Sequence, residues 1–251
     1  MNILAQDVLI TCLPSPKIVD SVFQSILQNG MLRSMKQERL FIDCSTIDPQ
    51  SSREVARKVH ESQSGSFVDA PVSGGVVGAR AGTLSFMFGA PQSSELVDRV
   101  RSVLSLMGTS SWHMGESGAG VSAKLANNYI LGVTNIATAE AFNMAHQWGL
   151  DLKALTELIK TSTGRCWPVE ANNPVPGIDK NSPSSKGYAA GGSINIMKKD
   201  VGLAVAGAKA SGAKLQLGDK AYEMYDTIGA TEDGEKDLSF VYKWLQERSS
   251  K

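Results

Sequence analysis

Three short stretches hold side chains whose types and spacing could do chemistry. Lys124, Asn127 and Asn128 fall at i, i+3 and i+4 of an apolar helical pattern and so share one face. A solvated helix face is the plain alternative, but asparagine is a poor helix-interior residue because its amide competes for backbone partners, so two in succession need a reason. The alanines and apolar residues around the triplet predict that this end is partly buried between domains, where a lysine loses pKa and serves as a base near neutral pH. A second stretch, Asp69-Ala70-Pro71-Val72-Ser73-Gly74-Gly75, follows an apolar strand and offers a hydroxyl and closely spaced backbone N–H groups, which suit a carboxylate. A plain glycine-rich turn would read the same way locally. The third, Gly118-Ala119-Gly120-Val121-Ser122-Ala123, matches the dinucleotide fingerprint G-x-G-x-x-G/A and is followed about 20 residues later by Glu140. That fingerprint needs its acidic residue at the end of the next strand, whereas Glu140 lies inside a long helical pattern, so this run is not a cofactor loop. Its glycines predict a compact turn with N–H groups open to an anion or a close-packed substrate.

The elements that position these residues are legible in the apolar periodicity. Runs at 7–13, 40–44, 66–70 and 84–88 read as strands, with a short terminal strand at 111–114. Helical spacing fills 18–27 up to Gly30, the segment opened by Asp48-Pro49, and 93–107. Strands alternating with helices predict a parallel sheet covered on both faces, with ligands beyond the strand ends, where Leu13-Pro14, Cys44-Ser45-Thr46 and Ser73 also lie. Residues 121–148 have no proline and predict one helix of about seven turns. Further helices are expected over 151–161, 194–210, 214–228 and 237–247, and 168–192 is a long loop of the kind that usually has a function.

The expected fold class is therefore α/β, a Rossmann-like parallel sheet followed by an all-helical domain joined to it by the long helix, divided as 1–117 and 118–251. The 25 basic and 25 acidic residues of the 251 cancel, which leaves no field for nucleic acid or an anionic membrane surface. No apolar run reaches the length of a membrane span. The three cysteines are far apart, no metal-ligand spacing occurs, and the lone histidines read as structural; a reducing compartment fits best. Residues 1–6 have neither a secretory nor an organelle leader pattern.

These residues together resemble the β-hydroxyacid dehydrogenase family. The Asp69 to Gly75 stretch with Gly78 and Gly82-Thr83 is similar to its substrate signature, the Gly118 to Asn128 stretch to its catalytic signature, and Met197-Lys198-Lys199-Asp200 to its C-terminal cofactor-closing segment. Gly164-Arg165-Cys166-Trp167 and Asn173-Pro174-Val175-Pro176-Gly177 resemble the hydroxyisobutyrate branch more than the glyoxylate or tartronate semialdehyde reductases. The resemblance implies Lys124 as acid/base, Ser73, Gly74, Gly75, Asn127 and Asn128 as substrate-binding residues, and Leu13, Pro14, Thr46 and Lys199 as cofactor-lining ones around one cleft. It also implies NAD, with NADP left open, a homodimer or homotetramer, and mitochondrial members in eukaryotes, with the cytoplasm left open for a chain without a leader. Oxidation of 3-hydroxyisobutyrate to its semialdehyde is the implied reaction; another small β-hydroxyacid, or a non-catalytic binding or oligomerisation role, are the alternatives. Against the family pattern, Met1 stands just ahead of the fourth strand, so the first βαβ unit with the true G-x-G-x-x-G loop is expected to be absent. Ser193 stands in place of an aromatic and Lys17 in place of an asparagine.

Overall fold

A computed structural model describes residues 7–28, 39–189 and 191–249. The expected helix stop at Gly30 and the leader reading over 1–6 fall outside them. Two compact units divide the chain, 1–126 and 127–251.

In the first unit, β1 (Val8–Thr11), β2 (Arg39–Asp43) and β3 (Gly65–Asp69) run parallel, with Thr11 opposite Asp43 and Asp43 opposite Asp69. Every residue of β2 is buried because both faces of the sheet are covered. Phe41 packs with Val19 and Phe23 of α1 (Pro16–Gln28) and Val55 and Val59 of α2 (Pro49–Glu61). Leu40 and Ile42 pack with Val97, Val100 and Leu104 of α4 (Ser94–Leu104). Asp48 caps α2 by accepting from the Ser51 N–H at 2.8 Å, with Pro49 in the first turn, as the sequence predicts.

The fold class is as expected, with one reversal in the sheet. After β3 the chain makes a two-residue strand, β4 (Val72–Ser73), and a seven-residue helix, α3 (Gly75–Ala81), neither foreseen. A parallel return needs a connection of a dozen residues or more. The ten residues between β4 and β5 fall short of that, so β5 (Leu84–Gly89) runs antiparallel to β4, and meets β3 antiparallel through the single pair Asp69 and Gly89. The longer passage through α4 then lets β6 (Gly108–Gly115) pair parallel with β5. β6 is eight residues long where four were expected, because its outer part is glycine, serine and threonine with no apolar alternation to announce a strand.

The second unit is helical. It takes most of α5 (Ala119–Gln147), then α6 (Leu152–Thr161), α7 (Trp167–Ala171), α8 (Ile194–Ser211), α9 (Gly218–Gly229) and α10 (Val241–Ser249). Phe142 of α5, Met197 and Val201 of α8, Tyr225 and Ile228 of α9 and Tyr242 of α10 form its core. Ser193 caps α8 through the Ile196 N–H, a local reason for a hydroxyl there. The expected loop 168–192 is held closely. Asp237 accepts from Asn172 Nδ2, from the N–H groups of Gly191 and Gly192, and from the N–H and hydroxyl of Ser239. Ser184 and Tyr188 donate to the carbonyls of Asn173 and Pro174.

Candidate active site and the family it belongs to

Lys124 is buried on the second turn of α5, and its Nζ donates to Ser73 Oγ at 2.8 Å. A solvated helix face is thereby ruled out for this residue. Ser73 ends β4, paired with Ser85 of β5, so the hydroxyl is held by the sheet. Gly74 and Gly75 follow at φ 130° and 58°, a turn that L side chains resist. A Cβ on Gly75 would meet nothing within 4 Å, so the backbone here faces open space at the head of α3.

The fingerprint-like glycine run resolves differently from a cofactor loop, and also from an open anion site. The Gly118 N–H donates to Asp69 Oδ1 at 2.7 Å and the Val121 N–H to Asp69 Oδ2 at 2.9 Å. The anion at the start of α5 is the chain's own carboxylate, from the end of β3. The close approach explains Gly120, where a Cβ would fall 2.4 Å from the Met87 carbonyl oxygen and 2.8 Å from that of Asp69. Burial pushes the Asp69 carboxyl above its ordinary value, opposed by the N–H bonds it accepts. Asp69 thus ties the turn preceding Lys124 to the strand that leads to Ser73. Sequence reading places Asp69 in the substrate stretch but gives it no such role, since its partners lie 49 and 52 residues away.

Leu13 and Thr46 are half-buried and Pro14 exposed, just past the carboxyl ends of the adjacent strands β1 and β2. This rim puts apolar and hydroxyl groups side by side beyond the carboxyl ends of parallel strands, where open α/β sheets hold a dinucleotide. No strand-to-helix turn among the described residues has the G-x-G-x-x-G spacing of a pyrophosphate cradle apart from the run at Gly118, which Asp69 fills.

In the second unit, Asn128 is buried and donates from Nδ2 to Asp200 Oδ2 at 2.6 Å, while its Oδ1 accepts from Asn127 Nδ2 at 3.1 Å. Asp200 Oδ1 is ion-paired with Lys199 Nζ at 3.2 Å. Asn127 is exposed and touches Asn128 rather than the core. Asp200 therefore orients the Asn128 amide as well as pairing with Lys199. A signal for it was present in the sequence, because a buried asparagine in a helix calls for a polar partner.

Comparison with known proteins agrees with this layout. Residues 118–245 match the family model for "NAD-binding of NADP-dependent 3-hydroxyisobutyrate dehydrogenase", and residues 2–115 that for the "NAD binding domain of 6-phosphogluconate dehydrogenase". A probable mitochondrial 3-hydroxyisobutyrate dehydrogenase of Dictyostelium discoideum is 42% identical over 239 residues, 95% of this chain and 73% of the relative. The mitochondrial 3-hydroxyisobutyrate dehydrogenase of Rattus norvegicus is 39% identical over 244 residues, 97% of this chain and 71% of the relative. A solved structure of the Mycobacterium tuberculosis 3-hydroxyisobutyrate dehydrogenase with L-serine superposes with a TM-score of 0.88 at 39% identity, covering 97% of this chain and 81% of that one. Likeness of this extent, in sequence and in fold, makes the chain a member of the 3-hydroxyisobutyrate dehydrogenase family of oxidoreductases.

Proposed function

We propose that the chain oxidises 3-hydroxyisobutyrate to methylmalonate semialdehyde, with NAD as the expected acceptor. The observation that supports it most is the buried Lys124 Nζ held 2.8 Å from Ser73 Oγ, beside the Gly74-Gly75 turn. In this reading residues 1–117 serve the dinucleotide and 118–251 form the helical dehydrogenase part. Ser73 and the backbone of Gly74 and Gly75 hold the substrate carboxylate. Asn128, fixed by Asp200 and accompanied by Asn127, orients the reacting oxygen. The amine form of Lys124 takes the hydroxyl proton as the carbinol carbon loses hydride, leaving an aldehyde and an ammonium; in the reverse direction the proton returns to the alkoxide. When bound, the nicotinamide would supply the hydride acceptor, and Leu13, Pro14, Thr46 and Lys199 are the residues that would hold the cofactor. The purified chain should reduce NAD with 3-hydroxyisobutyrate and not with its O-methyl ether, with NADP run in parallel; no reduction of either nucleotide would remove the dehydrogenase reading.

The same reading includes a homodimer or homotetramer and a mitochondrial location, the latter standing in the names of the Dictyostelium and rat relatives. An apolar stripe supports self-association. Ile130, Ala137, Met144 and Trp148 are exposed at helical spacing along and just past α5, whose opposite side carries the buried Ala139 and Phe142. Removing each large apolar side chain from water contributes about 1.5–3 kcal/mol. The double substitution Ile130→Glu with Met144→Glu is accordingly expected to raise the self-dissociation constant about 100-fold or more and to shift the light-scattering mass to that of the monomer. An unchanged mass would place the contact elsewhere.

A further inference from the structure

The two strand-end turns at the nicotinamide rim are tied to each other by a buried polar relay. β1 and β2 end in register at Thr11 and Asp43, and the Cys44 N–H donates to the Thr11 carbonyl at 2.7 Å. Beyond that point the bond across the strands goes through a side chain. The Leu13 N–H donates to Ser45 Oγ at 2.8 Å, and Ser45 Oγ donates to Asp43 Oδ1 at 2.5 Å. The same carboxylate oxygen accepts from Thr11 Oγ1 at 2.8 Å and from the Ser45 N–H at 3.3 Å. Asp43 and Ser45 are both buried, and Asp43 Oδ2 has no hydrogen-bond partner among the described residues.

A carboxylate in such a place is an expensive way to end two strands. Burying it without a full set of partners costs stability, and backbone bonds alone would close the strand pair. What the relay adds is a fixed separation between two turns. Burial alternates along the second of them, with Ser45 and Ile47 inside and Thr46 half-buried between them. Leu13 and Pro14 stand across from it on the first turn, held through the Leu13 N–H. We infer that Asp43 and Ser45 are positioning residues that set the spacing of the Leu13-Pro14 turn and Thr46, and through it the affinity for the nicotinamide dinucleotide. This inference rests on the cofactor contacts proposed above, and concerns two residues that touch neither cofactor nor substrate.

Ser45→Ala removes the link, and Thr11→Val is the milder second variant, deleting one donor to Asp43 at nearly constant volume. Calorimetric titration of each full chain with NAD alone, and steady-state kinetics with 3-hydroxyisobutyrate, give the readouts. For Ser45→Ala the dissociation constant and KM for NAD are expected to rise about tenfold, with the KM for the hydroxyacid unchanged, as the outer-contact scale of one lost hydrogen bond implies. Thr11→Val should move the same two constants by about threefold, and decides the matter if Ser45→Ala does not fold by circular dichroism. Parent-like NAD binding in the folded variants, or equal rises in both KM values, would overturn the positioning role and leave the dehydrogenase reading standing. Failure of the unsubstituted chain to bind NAD would remove the cofactor reading first, and this inference with it.

Discussion

Replacing Lys124 with alanine is expected to lower kcat by about 10²- to 10⁴-fold, the range that a positioned acid/base group contributes. The hydroxyacid KM should change much less, because in the proposed reading the substrate carboxylate is held by Ser73 and the Gly74-Gly75 backbone. Lys124→Arg should lose as much activity as the alanine variant although it retains a positive charge. A guanidinium does not give up its proton near neutral pH, and its planar fork replaces a compact amine at a site that is only 8% exposed. Equal losses in the two variants would identify proton transfer, and not charge, as the function of the residue. Turnover within threefold of the parent in either one would take Lys124 out of the mechanism.

Asp69→Asn should produce the largest loss of stability among the site residues, on the order of 2–4 kcal/mol. The carboxylate accepts one N–H on each oxygen, from Gly118 and from Val121. An amide offers one oxygen, so its NH₂ group would meet one of those N–H groups donor to donor, in a place buried from solvent. The pH dependence has a definite sign. The folded chain holds the Asp69 proton to a higher pH than the unfolded chain does, because burial raises the value above 3.8. Stability therefore falls as pH rises through the interval between 3.8 and the raised value, and levels off above it. The asparagine variant lacks that slope, so the gap between the two proteins narrows with rising pH over the interval. Asp43, also raised by burial, contributes a slope of the same sign that both proteins retain. Urea unfolding across acid pH measures both quantities, and an equal gap at every pH would show that Asp69 does not titrate differently in the two states.

The legible part of this molecule is the part that obeys a single local rule. The continuous apolar run of β2 announces a strand covered on both faces, Asp48-Pro49 announces a helix start, and the proline-free span through Gly132 announces α5. Lys124 and Ser73 are legible as chemistry, each from its own neighbours. Their 2.8 Å contact is not, since it joins residues 51 apart through a strand of two residues that no periodicity can reveal. The short helix α3 is hidden for a related reason. Val76 and Val77 are exposed and its buried residue is Gly78, so no apolar face marks the segment as a helix and it reads as a turn. The glycine run at Gly118 is the clearest case of a pattern with two physical causes. The same spacing that lets a backbone approach a pyrophosphate lets it approach a buried aspartate and the backbone of a neighbouring strand, and only the partner distinguishes them.

Asp237 gathers segments distant in sequence by polar contact, where other proteins use a covalent cross-link. Through Asn172 it closes a span of 65 residues, and through Gly191 and Gly192 it closes spans of 46 and 45 nested inside the first. On the chain-entropy reckoning, a disulfide over a span of that size would be worth about 4 kcal/mol. The aspartate holds the same spans together in the folded chain alone, and leaves the unfolded chain unrestrained, with no sulfur chemistry. It is therefore indifferent to the redox state of its surroundings, and it can hold the loop only in a chain whose surrounding helices have packed.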